Sequence, residues 1–299
     1  MSESAPEAAK RLVKKNRLAY ALLYPLIYLR KAILDRRSKA LERAYETIFS
    51  RVEGGSVVVR IPQFRGSFEV DTRSHTLKRA VLWGHEPPER IEEVTRRIDP
   101  ARDIIDVGAN IGLYTVLFSK TLANGSRVLS VEPTPRGLGY LRRNIEINGC
   151  TDTVTVFEGA ATDVSGTLQI NIIPGMEQYS SLGRLVHPAI KDKRSESVEV
   201  TGETIDNLVE RFGLNPGFIK VDTEGAEYKV FTGAADTIAT YQPVIWSELS
   251  DVMLSSFGHT SKMVVDLLEK LGYDVTDALK GTVIREPFDG EMLAVPRED

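Results

Sequence analysis

An aspartate and two glycines follow the first strongly apolar run of the chain, spaced as D-x-G-x-x-x-G. They are Asp106, Gly108 and Gly112, with Asn110 between the glycines. Glycines at a turn from a strand into a helix let the backbone approach a ligand closely. Nicotinamide and flavin sites use G-x-G-x-x-G, because a pyrophosphate prefers free N–H groups. A carboxylate before the turn suits a cationic ligand better, so we predict that these four residues bind one.

A second acidic residue fits the same ligand. Glu132 ends the next apolar run, 26 residues after Asp106, and an acid there can accept hydrogen bonds from both hydroxyls of a ribose. S-adenosylmethionine joins an adenosine to a positive sulfonium and a positive ammonium group, so it meets both expectations. We predict it as the cofactor, with Glu158 and Ala160, at the end of the third strand, beside the adenine.

The segment "IKVDTEGAE" holds four charged residues around the end of another predicted strand. They are Lys220, Asp222, Glu224 and Glu227. Active sites of open α/β sheets lie at such strand ends, and four charged residues would be costly if all were buried. We predict that Asp222 and Glu224 position an acceptor group or take its proton, and that Lys220 steers or offsets charge. Glu227 is predicted to contact substrate.

Two later residues are candidates for the same cleft. Glu248 ends the next strand, and His259 lies in a loop and titrates near neutral pH. We predict Glu248 as a further catalytic residue and His259 as a substrate contact, with an exposed loop histidine as the alternative for His259. Asp222 has a structural alternative as a helix cap. Asp222, Glu224 and Glu248 offer oxygen ligands that suit magnesium, but their spacing does not demand it, so we predict no metal.

The elements that must position these residues alternate between strand and helix from residue 103 onward. Strands are predicted at "DIIDVGA", "RVLSVEP", "TVTVFEGAA", "GFIKVDTEG" and "PVIWSELS", and helices at "GLYTVLFSKTL" and "RGLGYLRRNIEING". Apolar strands joined by helices predict a parallel sheet that is covered on both faces. The expected fold class is therefore α/β, with a Rossmann-like sheet.

A small β insertion interrupts this rhythm between residues 164 and 206. Two predicted strands flank a polar loop, 174–197. An insertion there would overhang the carboxyl ends of the sheet, where a substrate wall belongs. We therefore predict that Tyr179, Ser180 and Ser181 contact substrate, with the methionine end of the cofactor as the alternative.

The N-terminal part of the chain is strongly basic. Residues 10–39 hold ten basic residues and one acid, a net charge of +9 in a chain whose total is -4. The uncharged stretch 19–29 is too short to cross a membrane as a helix, but three tyrosines at four-residue spacing line one helical face. We predict a helical extension that touches an anionic membrane surface. Packing against protein is the alternative.

Composition limits the remaining choices. One cysteine, Cys150, builds neither an internal disulfide nor a zinc cluster, so a reducing compartment such as the cytoplasm is expected, with peripheral contact at the inner face of its membrane. A basic tip on an acidic body argues against a nucleic-acid partner. We predict a basic extension at 1–50, short strands and a lead-in helix at 51–98, and the main domain at 99–299.

Four motifs together resemble the FkbM family of methyltransferases, over roughly residues 75–275. The motifs are "IIDVGANIGLYT", "VEPTP", "YSSLG" and "IKVDTEGAE". The resemblance implies a class I methyltransferase domain that moves a methyl group from S-adenosylmethionine to a hydroxyl oxygen, often on sugars, glycolipids or polyketides. It also implies that Asp106, Gly108, Asn110 and Glu132 contact the cofactor.

We therefore expect an O-methyltransferase that acts on a hydroxyl of a carbohydrate or glycolipid. One alternative is a non-catalytic adaptor that keeps the fold. The cluster of acids after the fourth parallel strand argues against it, because a binding module has no need for them. The other alternative is a nicotinamide-dependent oxidoreductase, and Asn110 at the place of the second glycine argues against that.

Overall fold

The computed structural model describes residues 39–40, 43, 55–72, 74–83, 88–173 and 195–297. Apart from Lys39, the basic segment 10–39 lies outside these residues, as do Tyr179, Ser180 and Ser181. The interpretations of those segments therefore stay predictions. Within the described residues, no helix is long and apolar enough to cross a membrane. The chain divides into two units, Met1–Glu53 and Gly54–Asp299, and every candidate site residue belongs to the second.

Twelve strands and nine α-helices are found in the described part of this unit. The strands are β1 Ser56–Ile61, β2 Gly66–Asp71, β3 Asp103–Val107, β4 Val128–Glu132, β5 Val154–Glu158, β6 Ala160–Ala161, β7 Gly166–Ile172, β8 Glu196–Glu203, β9 Pro216–Val221, β10 Val244–Ser250, β11 Tyr273–Asp277 and β12 Asp289–Pro296. The helices are α1 His75–Trp83, α2 Pro88–Arg96, α3 Leu113–Ser119, α4 Pro135–Ile147, α5 Ile205–Phe212, α6 Glu227–Thr232, α7 Ala235–Tyr241, α8 Asp251–Leu254 and α9 Ser261–Lys270.

A seven-stranded sheet carries the main domain, in the order β11-β12-β10-β9-β3-β4-β5. The five strands from β10 to β5 are mutually parallel, which confirms the predicted Rossmann-like sheet. β11 and β12 were not predicted from the sequence. Because β12 runs antiparallel to β10, its first residues lie at the same edge of the sheet as the carboxyl end of β10.

Both faces of this sheet are buried. Successive residues of a strand point to opposite faces, and successive residues of these strands belong to different core clusters. Ile105, Ile219 and Ile245 belong to one core cluster. Their chain neighbours Ile104, Phe218 and Trp246 belong to another, which also holds Phe118 of α3 and residues of α2. Even-numbered residues of β3, β9 and β10 thus face α2 and α3, and this face carries Asp106, Lys220 and Glu248.

The predicted β insertion forms a separate three-stranded sheet, in the order β6-β8-β7. The predicted strand "TVTVFEGAA" is split at Gly159, where β5 of the large sheet ends and β6 of the small one begins. A Cβ on Gly159 would lie 2.4 Å from the carbonyl oxygen of Thr201. This close approach of two backbones is the reason for a glycine at the junction.

The hairpin of β1 and β2 is fastened to the main domain by Asn144 of α4, which is fully buried. The Asn144 side chain accepts a hydrogen bond from the N–H of Glu69 at 2.6 Å and donates to the carbonyl oxygen of Glu69 at 3.1 Å. It also donates to the carbonyl oxygen of Ile111 at 2.8 Å. One amide thus ties the accessory strands to the glycine turn that follows β3.

Replacing Asn144 with alanine should lower the free energy of unfolding by about 1–3 kcal/mol, because partly buried backbone groups of Glu69 and Ile111 lose their partner. Urea denaturation measures the effect. Arg143→Ala is the control. The Arg143 side chain, next to Asn144 in the chain, is exposed and pairs with Glu69 and Glu146, so a loss of stability of about 0–1 kcal/mol is expected. Equal losses in the two variants would contradict this role for Asn144.

Candidate active site

The glycine turn after β3 touches the turn after β9. Gly108 has a left-handed φ of +75°, and a Cβ there would lie 1.8 Å from the carbonyl oxygen of Asp222. Asn110 and Gly112 are also left-handed, with φ of 49° and 88°. The N–H of Asp222 donates to the carbonyl oxygen of Val107 at 3.1 Å. The two predicted motifs are therefore one site, and only glycine fits at residue 108.

Glu132 is held against this turn. Its Oε2 accepts a hydrogen bond from the N–H of Asn110 at 2.8 Å, and its Oε1 accepts from the N–H and the hydroxyl of Thr134. Burial raises the pKa of Glu132, while the bonds from Thr134 and Asn110 oppose that rise. Glu132 thus joins the turn after β3 to the loop after β4. Its predicted contact with ribose hydroxyls stays a prediction.

Asp106 lies beneath the turn and is fully buried. Its Oδ2 accepts a hydrogen bond from the Thr115 hydroxyl at 2.7 Å. Its Oδ1 lies 3.5 Å from Lys220 Nζ and receives no hydrogen bond from the described residues. In this position Asp106 supports the turn from below, a different place from the open contact expected from the sequence.

Lys220 connects the cofactor side of the site to the acidic side. Its Nζ lies 3.6 Å from Asp222 Oδ2 and 5.0 Å from the centre of the Tyr114 ring, within cation–π range. Burial by itself would lower the pKa of Lys220, but the carboxylates of Asp106 and Asp222 outweigh it and raise the pKa. Lys220 therefore stays charged between two acids, as the prediction that it offsets charge requires.

An acidic row crosses the edge of the sheet beside Lys220; we use this name for Asp222, Glu248 and Glu291. Glu248 lies directly opposite Glu291 in the pairing of β10 with β12. Asp222 follows Val221, which pairs with Ser247. Solvent reaches the Glu248 side chain, yet partial burial of its carboxylate and the charges of Asp222 and Glu291 raise its pKa. The structure thus brings together the two acids predicted from neighbouring strands.

Glu224 lies near Asp222 and Glu248 of the acidic row. Its backbone has a left-handed φ of +55°, which is uncommon outside glycine. Burial, with the nearby carboxylates of Asp222 and Glu248, raises the pKa of Glu224 to about 9. Glu224 therefore holds a proton at neutral pH. It is suited to donate a hydrogen bond rather than to take a proton, which narrows the two roles expected for it.

Glu227 does not face the cleft. It is 2% exposed, and its Oε1 accepts hydrogen bonds from the N–H groups of Thr223 and Gly225 and from the Thr223 hydroxyl, at 2.9–3.1 Å. Burial is also the main cause of its raised pKa. Glu227 braces the loop that carries Glu224, so the interpretation of Glu227 as a substrate contact is corrected: its carboxylate is turned into the protein by these three bonds.

Three other predicted residues lie apart from the acidic row. His259 packs its ring on Tyr228 at 4.4 Å, and burial lowers the pKa of His259. Glu158 is exposed and pairs with Arg142. Ala160 is buried in the small sheet against Ile170, so its methyl group is not part of an open adenine pocket. The described residues hold no group of three His, Cys, Asp or Glu side chains that could bind a metal ion.

Tyr114, Glu291 and Arg90 were not predicted from the sequence. Tyr114 directly follows the glycine turn in "IGLYT", and that position gave a signal for a residue facing the site. Glu291 and Arg90 gave none, because each reaches the acidic row only through the pairing of β12 with β10 and the packing of α2.

Comparison with known proteins gives a family match and several distant structural similarities. Residues 106–275 match the model of the methyltransferase FkbM domain. A solved FkbM methyltransferase from Methylobacillus flagellatus is 20% identical, with a TM-score of 0.42, and the match covers 66% of this chain and 44% of that one. An O-methyltransferase from Bacillus cereus, solved in complex with SAH, is 16% identical, with a TM-score of 0.39 and coverage of 71% and 82%.

The release factor glutamine methyltransferase of Geobacter sulfurreducens is 30% identical over 95 residues. These residues are 32% of this chain and 32% of that enzyme. The chain thus spans about a third of this relative's length and less than half of the M. flagellatus chain.

Replacing Gly108 with alanine should weaken the binding of S-adenosylmethionine by about tenfold or more, since the left-handed φ and the contact with the Asp222 carbonyl together imply strain above about 1–3 kcal/mol. Isothermal titration calorimetry measures the affinity. Gly125→Ala is a matched control, because Gly125 has a φ of +98° but nothing within 4 Å of an added Cβ. Unchanged affinity in the Gly108 variant would contradict the placement of the cofactor on this turn.

Proposed function

Since the chain belongs to the FkbM methyltransferase family and S-adenosylmethionine is its cofactor, we propose that it methylates a hydroxyl oxygen of a carbohydrate or glycolipid. The observation that carries this proposal is the acidic row beside the glycine turn. A hydroxyl must lose its proton as it is methylated, and the row provides carboxylates next to the place predicted for the cofactor.

The residues around the turn fit a cationic adenosine cofactor. Gly108 lets the turn lie directly against the Asp222 carbonyl oxygen, Glu132 is fixed beside the turn, and the buried carboxylate of Asp106 lies beneath it, 3.5 Å from Lys220 Nζ. When bound, S-adenosylmethionine supplies an electrophilic methyl carbon on a positively charged sulfur. The acids around the turn favour that positive charge, and the turn fixes where the acceptor oxygen must stand.

On the acceptor side, each member of the site has a distinct task. Glu248 takes the proton of the acceptor hydroxyl in its ionised form. Burial and the nearby carboxylates raise the pKa of Glu248 to about 8, so this form is the minor one at pH 7 and its share grows as the pH rises. Glu224, which keeps its own proton, donates a hydrogen bond to a second oxygen of the acceptor. Asp222, held by Lys220 at 3.6 Å, accepts a hydrogen bond and fixes the orientation of the acceptor.

A polyol suits this arrangement better than an isolated alcohol. Glu224 as donor and Asp222 and Glu248 as acceptors would engage neighbouring hydroxyl groups, which both donate and accept hydrogen bonds. An anionic group would instead meet the like charges of the acidic row. These considerations support a sugar hydroxyl as the acceptor.

The protein should transfer a labelled methyl group from S-adenosylmethionine to a component of carbohydrate or glycolipid extracts. Glu248→Gln should lower kcat by about 10²- to 10⁴-fold, the usual contribution of a general base, while cofactor affinity measured by calorimetry stays the same. Glu269→Gln, an exposed position at the end of α9, is the control. Full activity of Glu248→Gln would contradict the base assignment, and no transfer by the wild-type protein to any extract would favour the adaptor alternative.

We also propose that the basic segment 10–39 brings the enzyme to an anionic membrane surface, where a glycolipid acceptor would lie. Its net charge of +9 and its short apolar stretch support this. The full-length protein should sediment with vesicles that contain phosphatidylserine, and less so at high salt. A variant without residues 1–40 should stay in the supernatant and still bind S-adenosylmethionine. Equal sedimentation with neutral vesicles, or none with anionic ones, would contradict the proposal.

A further inference from the structure

We propose that Arg90 and Glu291 form a positioning pair that controls the gain and loss of the proton on Glu248. Neither residue touches the acceptor in this proposal; both act through Glu248. The inference rests on the proposed function in one respect, which is that Glu248 is the base.

The pair lies outside the part of the chain that the FkbM domain model matches. That match covers residues 106–275, whereas Arg90 precedes it on α2 and Glu291 follows it on β12. The family assignment therefore gives no role to either residue. Residues from before and after the matched region thus meet at this point of the sheet.

Glu291 is fixed in position and buried. It is 5% exposed; its Oε1 lies 2.8 Å from an Arg90 guanidinium nitrogen, and its Oε2 accepts a hydrogen bond from Trp246 Nε1 at 2.5 Å. Both carboxylate oxygens thus have a partner. A buried carboxylate with two such partners is held in one orientation and stays close to its cross-strand neighbour.

That neighbour is Glu248. Residues directly opposite each other in an antiparallel pair have Cβ atoms about 4.5–5.5 Å apart on the same face of the sheet. Two neighbouring carboxylates repel each other, so the negative charge of Glu291 favours the protonated form of Glu248. Burial raises the pKa of Glu291, while Arg90 opposes that rise and also offsets part of the repulsion at Glu248.

The other charged groups around Glu248 come from β9 and the loop after it. Asp222 adds to the negative charge and Lys220 reduces it, while Glu224, which carries its own proton, stands above them. Lys220 is already engaged by Asp106 and Asp222, at 3.5 and 3.6 Å. The protonation of Glu248 therefore depends on the charges of Arg90 on α2 and Glu291 on β12.

The packing of α2 places Arg90 beside Glu291. Val94 of α2 and Ile98, just after the helix, are buried in the same core cluster as Trp246 and Leu293, and Leu293 is paired with Trp246 across β12 and β10. The helix is thereby anchored on this face of the sheet, and Arg90, one turn earlier on α2, reaches the edge where Glu291 lies.

The test is the titration of Glu248 by carbon-13 NMR of the full-length protein labelled at glutamate side-chain carboxyls, with the signal assigned from Glu248→Gln. In Glu291→Gln, which keeps an acceptor for Trp246 and loses the charge, the pKa of Glu248 should fall by about one pH unit. Asp274→Asn is the control, because it removes an exposed carboxylate that pairs with Arg297 on β11 of the same sheet, and it should leave the Glu248 titration in place.

An unchanged pKa of Glu248 in a folded Glu291→Gln protein would overturn the proposal. If that variant does not fold, Arg90→Gln provides the second test: the Glu248–Glu291 couple should take up its first proton at a higher pH, since a positive charge is gone, and an unchanged titration would overturn the proposal as well.

The pH profile of kcat/KM separates this inference from the proposed function. If the acid limb of the profile moves to lower pH in Glu291→Gln, by as much as the pKa of Glu248 falls, the result supports both the positioning pair and the role of Glu248 as the base. A lower pKa of Glu248 with an unmoved acid limb supports the positioning pair and removes Glu248 from the role of base.

Discussion

The contact between Gly108 and the carbonyl oxygen of Asp222 is the constraint on which the site depends. It brings the turn after β3, which is predicted to bind the cofactor, against the turn after β9, where the acidic row begins. An added Cβ would lie 1.8 Å from that oxygen, so the two turns cannot keep this approach with any other residue at 108. A transfer reaction requires its two partners in line and in contact, and this backbone contact sets their spacing.

Charge balance below the turns holds the same two strands together. Asp106 of β3 and Lys220 of β9 are both buried, and they lie side by side in the strand pairing. A buried ion pair of this kind is weak evidence for added stability, because desolvation opposes the attraction, but removal of one partner would leave an uncompensated charge. The pair therefore acts as a constraint on register and orientation, and Tyr114 closes it from the side of α3.

The sequence predicted the parallel half of the sheet because its strands are apolar on both faces and alternate with helices. It also predicted the glycine turn and the acids after β9, since both motifs are local. β11 and β12 were missed, and with them Glu291. β12 joins the sheet by antiparallel pairing with the distant strand β10, as in Glu248 with Glu291, and β11 joins it by pairing with β12.

Individual side chains were harder to predict than elements. Glu224 and Glu227 stand three residues apart with the same chemistry, yet one lies in the cleft and the other is turned inward as a brace. A left-handed φ at Glu224 and the helix start at Glu227 separate them, and neither is visible in residue type. Ala160 was misplaced for a related reason, since the strand that carries it changes sheet at Gly159.

That change of sheet bears on the length of the inserted segment. The inserted segment leaves the main domain at β6 and returns at the end of β8, and these two strands are paired, with the N–H of Thr162 bonded to the carbonyl oxygen of Glu203. Entry and exit are therefore adjacent, and lengthening a surface excursion between fixed ends changes closure entropy only slowly. The segment between β6 and the end of β8 can therefore change in length without separating the two points at which it joins the main domain.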